Sequence, residues 1–420
     1  MHSLRHWLCL GFILLCLTHA VSGAEYWNEF RGPTADGHSP SKDIPLAWSE
    51  KEHVTWKTAI TGKAWSSPVA WGNQIWVTNA TPDGKKLYAV CLDAESGKTV
   101  HDVTVFEIAN PMFCIGYNSY ASPTPVVEGN RVWVHYGSAG TACLDTETGK
   151  TVWSRQDLPC DHLRGPGSSP IIFRNLLIIN FDGADHQYVI ALNKETGKTE
   201  WKTDRSINYG TDNGDAKKAY CTPTIFEHDG RLQMVSPAAV ATISYNPLNG
   251  EEFWTVYHGG YNAAARPIYS HGHVYINLEG GTRLLAVRPD GTGDVTKTHV
   301  KWTCAKSTPT RPSQLVVGDH IFMVNDKGVA SCLDIETGEP VWTERMEGRH
   351  SASPIYSNGR IYFFDEDDGH TRVIAADPKE YRLLADNKLD GGCMASPAVV
   401  EDSLLIRTRT HLYRIDNKAP

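Results

Sequence analysis

Two arginines stand where the rest of the chain repeats a hydroxyl. Eight times one residue precedes a proline that opens an apolar run, and these residues are Ser67, Ser122, Ser169, Thr222, Arg266, Arg311, Ser353 and Ser396. Guanidiniums set side by side take carboxylates in bidentate geometry, so Arg266 and Arg311 are the first candidates for an anion site. The plainer alternative is that each arginine pairs with a nearby acid or caps backbone carbonyls.

The segments leading into these openings are long and polar. They carry Tyr117 and Asn118, Arg164, Asp212, Tyr261 and Asn262, and Arg349 and His350. Tyrosine, asparagine, arginine and histidine on loops held by a rigid scaffold make a recognition surface. Cys114 and Cys160 lie in irregular segments of this set and are the candidate disulfide. Cys91, Cys143 and Cys332 each precede Leu-Asp and read as small buried hydrophobes on equivalent strands.

Several chemistries lose their usual signature. There is no Cys-x-x-Cys, no Cys-x-x-Cys-His and no adjacent cysteine pair, which argues against zinc ribbons, c-type haem and dithiol redox work. Gly-x-Ser-x-Gly, His-Glu-x-x-His and phosphate loops are also missing. With 40 Lys and Arg against 48 Asp and Glu, the net charge is −8 and no basic run occurs, so nucleic acid is not an expected partner.

The elements that must position these residues recur along the chain. The opening prolines, Pro68, Pro123, Pro170, Pro223, Pro267, Pro312, Pro354 and Pro397, follow one another at intervals of 42 to 55 residues. Units close with an acidic turn, a glycine and a tryptophan. Examples are Cys143-Leu-Asp-Thr-Glu-Thr-Gly149-Lys-Thr-Val-Trp153, Ala191-Leu-Asn-Lys-Glu-Thr-Gly197-Lys-Thr-Glu-Trp201 and Cys332-Leu-Asp-Ile-Glu-Thr-Gly338-Glu-Pro-Val-Trp342. Between opening and closing run short β-branched and aromatic stretches such as Arg131-Val-Trp-Val-His135 and Arg360-Ile-Tyr-Phe-Phe364, separated by Gly, Asn and Asp turns. Such runs read as strands, and no helical period competes with them. Repetition at this interval predicts an all-β, eight-bladed propeller of four-stranded antiparallel blades.

The eighth unit ends without its tryptophan strand, whereas His53-Val-Thr-Trp56-Lys-Thr-Ala-Ile60 stands before the first opening. Residues around 53–60 are therefore expected to complete the last blade and remove an open sheet edge. The motif acids and glycines read as turn formers and the tryptophans as packing between blades.

At the N-terminus, Arg5 flanks an apolar stretch from Trp7 to Leu17 followed by small residues up to Ala24. Residues 1–24 read as a secretory signal peptide, too short to span a membrane comfortably, and residues 25–420 as one domain. The expectation is an exported protein, periplasmic or secreted, monomeric and without a transmembrane span in the mature chain.

The Ala-x-Asp-x-x-Thr-Gly-x-x-x-Trp type repeats resemble those of the PQQ-like, or quinoprotein-like, β-propeller family over roughly residues 25–416. The leading segment Trp27-Asn-Glu-Phe-Arg-Gly-Pro33 and the segment Arg288 to Trp302 are also similar to bacterial exported members. The resemblance implies one of two roles. One is a binding or scaffold propeller, as in the outer-membrane assembly factor BamB, presenting its loop face to a protein, peptide or glycan. The other is a PQQ-dependent alcohol or sugar dehydrogenase with calcium. There Arg266, Arg311 and Arg164 would contact the anionic cofactor, and Asp212 or Asn262 would help hold the metal. The absent adjacent cysteine pair, the shorter chain and the lack of a matching catalytic Asp favour the first. A hydrolase or lyase on the same scaffold has only scattered His and Asp residues behind it.

Overall fold

Each opening proline leads into a short innermost strand. These strands are Val69–Trp71, Val126–Glu128, Ile171–Phe173, Thr224–His228, Ile268–Ser270, Leu315–Val317, Ile355–Ser357 and Ala398–Val400. In the computed structural model, which describes residues 26–278 and 283–417, each starts a separate antiparallel sheet, and the sheets form a ring of eight blades numbered here in that order. The expected leader, residues 1–24, lies outside the described residues.

Blade 3 shows why the sequence folds this way. Ile171–Phe173 turns into Leu176–Asp182, which pairs with Gln187–Asn193 and then with Thr199–Asp204. The second strand is buried along its whole length because neighbouring blades cover both faces, so it reads as a continuous apolar run. The outermost strand is largely exposed. The apolar clusters accordingly sit between blades; one joins Ile178, Val189 and Ala191 of blade 3 to Met234 and Ile243 of blade 4.

Blade 8 closes as expected. Val54–Ala59 pairs antiparallel with His411–Ile415 and supplies the outermost strand. One blade departs from the four-stranded expectation. Gly293–Asp294, from the segment between Arg288 and Trp302, adds a two-residue parallel strand to Glu252–Tyr257 of blade 4.

The repeat motif is a seam device. Asp145 Oδ1 accepts the Thr148 N–H at 2.9 Å, and Asp334 Oδ1 accepts that of Thr337 at 2.8 Å. Gly149, Gly197 and Gly338 hold φ values of 69°, 71° and 71°. A tryptophan then docks onto the glycine turn of the next blade. The Trp153 Nε1–H donates to Lys194 O at 2.8 Å, and a Cβ placed on Gly197 would sit 2.6 Å from the Trp153 ring. Trp302 meets Gly338 in the same way, and Trp56 on the closing strand meets Gly97 of blade 1. In blade 1, His101 takes the tryptophan position and contacts Gly149.

Candidate functional site: the mouth of a plugged channel

Because the innermost strands run away from the opening prolines, the long crossover loops and the residues before those prolines gather at one end of the central channel. A cavity of about 270 Å³ occupies this mouth. Its wall includes Ser67, Ser122, Ser169, Thr222, Ser353 and Ser396, and its rim includes Trp65, Tyr117, Asn118, Arg164, Tyr220, Asn262 and Arg311.

The hydroxyls first stitch the ring. Thr124 Oγ1 accepts the Ser67 N–H at 3.0 Å, Ser169 Oγ that of Thr124 at 2.9 Å, and Thr222 Oγ1 that of Ser169 at 3.0 Å. Thr224 Oγ1 donates to Pro267 O at 2.7 Å. Ser313, Ser353 and Ser396 then accept the N–H groups of Arg266, Ser313 and Ser353 at 2.9, 3.0 and 2.8 Å. Arg407 Nη1 completes the circle by donating to Ser66 Oγ at 2.6 Å. Each of the eight seams thus carries a polar contact close to the axis, and an accepting hydroxyl retains its own O–H as a donor.

The opposite end of the channel is closed by the N-terminal segment. The Trp27 backbone pairs with Ala70 of blade 1, Asn28 O accepts the Val127 N–H of blade 2 at 2.9 Å, and Gly37 O accepts that of Tyr356 of blade 7 at 2.9 Å. Arg31 Nη2 donates to Gln314 O of blade 6 at 2.8 Å. Phe30 forms part of the cavity lining, so the plug provides its floor. Burial pulls the Arg31 pKa down, to about 9, which still leaves a cation at neutral pH.

This plug corrects the expectation for Arg266. The side chain is 2 % exposed and does not line the mouth. It forms a salt bridge with Glu29 at 3.0 Å and donates to Phe30 O and Pro223 O. Arg266 and Arg311 therefore do not converge on one anion. Arg311 sits at the mouth with its Nε 2.7 Å from Asp326 Oδ1 and its guanidinium 4.8 Å from the centre of the Tyr117 ring.

Tyr117 reaches from the loop between blades 1 and 2 to the far side of the mouth. Its hydroxyl donates to Glu366 Oε2 at 2.6 Å and meets Ser351 Oγ at 2.8 Å. Burial first, then Glu366, pushes the phenol up to about 12, so it stays a neutral donor. Asn118 donates to Arg164 O at 3.0 Å and Pro166 O at 3.1 Å. Arg164 is itself paired with Asp215, whose other oxygen lies 2.7 Å from Lys218 Nζ. Burial works to raise the Asp215 carboxyl, but Lys218 and Arg164 together hold it below its ordinary range.

The remaining sequence candidates fall elsewhere. His350 is fully buried, with Nδ1 2.8 Å from Phe364 O, and burial lowers its pKa, so it serves the core rather than the loop face. Arg349 is half-exposed and paired with Asp367 and Glu366, and Tyr261 is exposed on its turn; neither lines the cavity. The expected Cys114–Cys160 bridge is not formed. Cys114 Sγ lies 3.6 Å from Arg164 O, and Cys160 is a separate thiol packed into the interface of blades 2 and 3 beside His162.

The donor set does not fit the quinone cofactor with calcium. Asn262 Oδ1 faces the Lys218 ammonium at 3.5 Å, and a resident cation there opposes a metal. Among the described residues no group of three or more His, Cys, Asp or Glu is arranged to hold a metal ion, whereas calcium requires six to eight oxygen ligands. The two arginines left at the mouth, Arg164 and Arg311, already have carboxylate partners.

Trp65, Tyr220, Ser351 and the plug were not legible as site residues. The only available signal for the plug was the occurrence of Glu29 and Arg31 inside an aromatic leading segment.

The fold and the sealed, loop-rimmed channel define the class: a β-propeller of the PQQ-like kind. Within it, the chain belongs to the family described as outer membrane protein assembly factor BamB, which matches residues 46–227 and 241–416. It is 22 % identical over 311 residues to the outer membrane protein assembly factor BamB of Shewanella oneidensis, covering 68 % of this chain and 72 % of that protein. The crystal structure of BamB from Moraxella catarrhalis superposes with a TM-score of 0.61 at 12 % identity, covering 86 % of this chain and 99 % of that one. The quinohemoprotein alcohol dehydrogenase of Comamonas testosteroni shares the fold with a TM-score of 0.66 at 9 % identity, covering 94 % of this chain and 81 % of that one.

Proposed function

We propose that the protein is an assembly or binding scaffold that presents the loop-rich face around its channel mouth to a protein partner. The observation that carries this reading is how the mouth's ionic groups are spent. Arg311 and Arg164 are held by Asp326 and Asp215, and Phe30 closes the floor. Pre-paired charges on a rigid ring suit recognition of a macromolecular surface better than capture of a small anion. The family description and the relatives named as assembly factors support the same role. Export to the periplasm or beyond accords with the leader-like residues 1–24 and with those outer-membrane relatives. Among the described residues no helix is long and apolar enough to cross a membrane.

Site-specific photocrosslinking in the protein's own cells tests this. A benzoylphenylalanine replacing Tyr261, on the mouth face, is expected to trap a protein, whereas the same group replacing Glu195, on a turn of the opposite face, is not. Crosslinks from Glu195 alone would overturn the assignment.

A further inference from the structure

Beside the mouth, blades 1 to 3 enclose a groove of about 490 Å³. One wall is the loop leaving blade 1, with Ile108, Pro111, Met112 and Phe113; the other is the loop leaving blade 2, with Leu158 and Pro159. Phe113 is 69 % exposed and Met112 51 % exposed, although the loop that carries them is anchored by the Tyr120 hydroxyl, which donates to Met112 O at 2.8 Å. Large apolar side chains held out on a fixed loop at the edge of a groove are characteristic of a docking surface.

The groove is also acidic. Asp157 and Asp185 line it, and no lysine or arginine does. Arg155 pairs with Asp157 and is turned toward Gly197 O of blade 3, while Asp185 accepts the Asp161 and His186 N–H groups and keeps its negative charge. The local potential is felt by neighbouring groups. Burial, reinforced by Asp182, Asp185 and Asp161, raises the Cys160 thiol well above its ordinary value. His162, although pulled up by Asp161 and Asp185, is kept neutral at a pKa of about 4 by burial, with a smaller contribution from Lys218, so it adds no imidazolium to the groove at neutral pH; the His186 ring, 3.8 Å from Asp185, lies outside the lining. Pro166 lines both this groove and the mouth cavity, so the two are neighbours.

We propose that this groove docks an extended segment of a partner protein in which a lysine or arginine neighbours a large apolar side chain. The apolar residue would pack against Phe113 and Leu158, and the cation would sit toward Asp185. This rests on the scaffold reading and specifies where on the face, and by what chemistry, the partner is held.

The test is fluorescence anisotropy with a labelled peptide, Gly-Lys-Phe-Lys-Leu-Lys-Gly, beside the same peptide with its lysines replaced by glutamates. The basic peptide is expected to bind with an affinity that falls as salt rises, and the acidic one to bind at least about tenfold more weakly. Phe113→Ser, a change at an exposed side chain, is expected to weaken binding about tenfold, and Asp185→Asn, which keeps the turn hydrogen bonds, by about threefold. Glu195→Gln, an exposed change outside the groove on the opposite face, should leave it unchanged. Equal binding of the two peptides, or indifference to Phe113→Ser in a variant whose thermal unfolding is unaltered, would overturn the proposal. Failure of the basic peptide while Tyr261 crosslinks persist would remove the groove and leave the scaffold reading standing.

Discussion

The Asp182–Arg205 pair shows what the buried ionic residues of this ring do. Arg205 Nε and Nη2 meet the two Asp182 oxygens at 2.5 and 2.7 Å, and both side chains are almost completely buried between blades 3 and 4. Removing one partner leaves an uncompensated charge, so Asp182→Ala is expected to cost about 3–5 kcal/mol in denaturant unfolding. Glu29 and Arg266 form the corresponding pair between plug and ring. Glu29→Ala should destabilise strongly, and a Glu29→Ala, Arg266→Met double variant should recover part of the loss.

Buried imidazoles set the pH dependence. Burial holds His135 at about 3 and His258 at about 4, against an ordinary value of 6.5. Both are neutral in the fold, so below pH 6.5 the unfolded chain binds protons that the native one does not. Stability is therefore fully present above pH 6.5 and is lost as pH falls toward 4, by about 2 kcal/mol per residue at pH 5. Thermal unfolding across pH 8 to 4.5 should show a level region and then a decline, shallower in His135→Gln.

The residues before the opening prolines were readable as a set because their spacing announced them. Their directions were not. Arg266 is withdrawn from the mouth by Glu29 and Phe30 O, which lie more than 230 residues earlier in the chain, as Phe30 and Arg266 are separated by 236 positions. The fate of His350 is decided nearer by: it is fully buried with Nδ1 on Phe364 O, 14 positions along the chain, which the polar neighbour Arg349 conceals in the sequence.

At the scale of the element, the blade was the most legible feature because three local signals agree: a proline opening, β-branched strands and an acidic glycine turn. Trp56, Trp153, Trp201 and Trp302 pack on the glycine of the following blade, and Trp342 donates to Asp377 O of the next turn, so the motif encodes a seam between units as well as a turn within one. Gly197→Val would force a β-branched residue to φ 71° and into the Trp153 ring. Left-handed strain and overpacking together should cost about 2–4 kcal/mol. A double-mutant cycle with Trp153→Ala should give a substantial coupling energy, because removing the indole relieves the steric part while the backbone strain remains. The two-residue strand Gly293–Asp294 was not legible, since it is too short to carry a period and pairs parallel with a different blade.

At the scale of the whole molecule, one stretch at the start of the described chain performs two closures. Residues 27–41 cross the end of the channel and touch blades 1, 2, 5, 6, 7 and 8, and Val54–Ala59 then completes the last sheet. The second closure was predictable because a missing strand and a spare strand can be counted. The first was not, since a plug has no periodicity and its partners are spread around the ring. Together they leave a cup whose floor is Phe30, whose wall is a hydroxyl belt and whose rim of arginines is already paired. That arrangement is the basis for proposing a scaffold over the alternative of a PQQ-dependent dehydrogenase.

Calorimetric titration of the protein with PQQ in calcium tests that claim most directly. The expected result is no saturable heat at several temperatures, for the native chain and for Arg311→Gln alike. Tight, stoichiometric binding that Arg311→Gln abolishes would contradict the account and place a cofactor at the mouth.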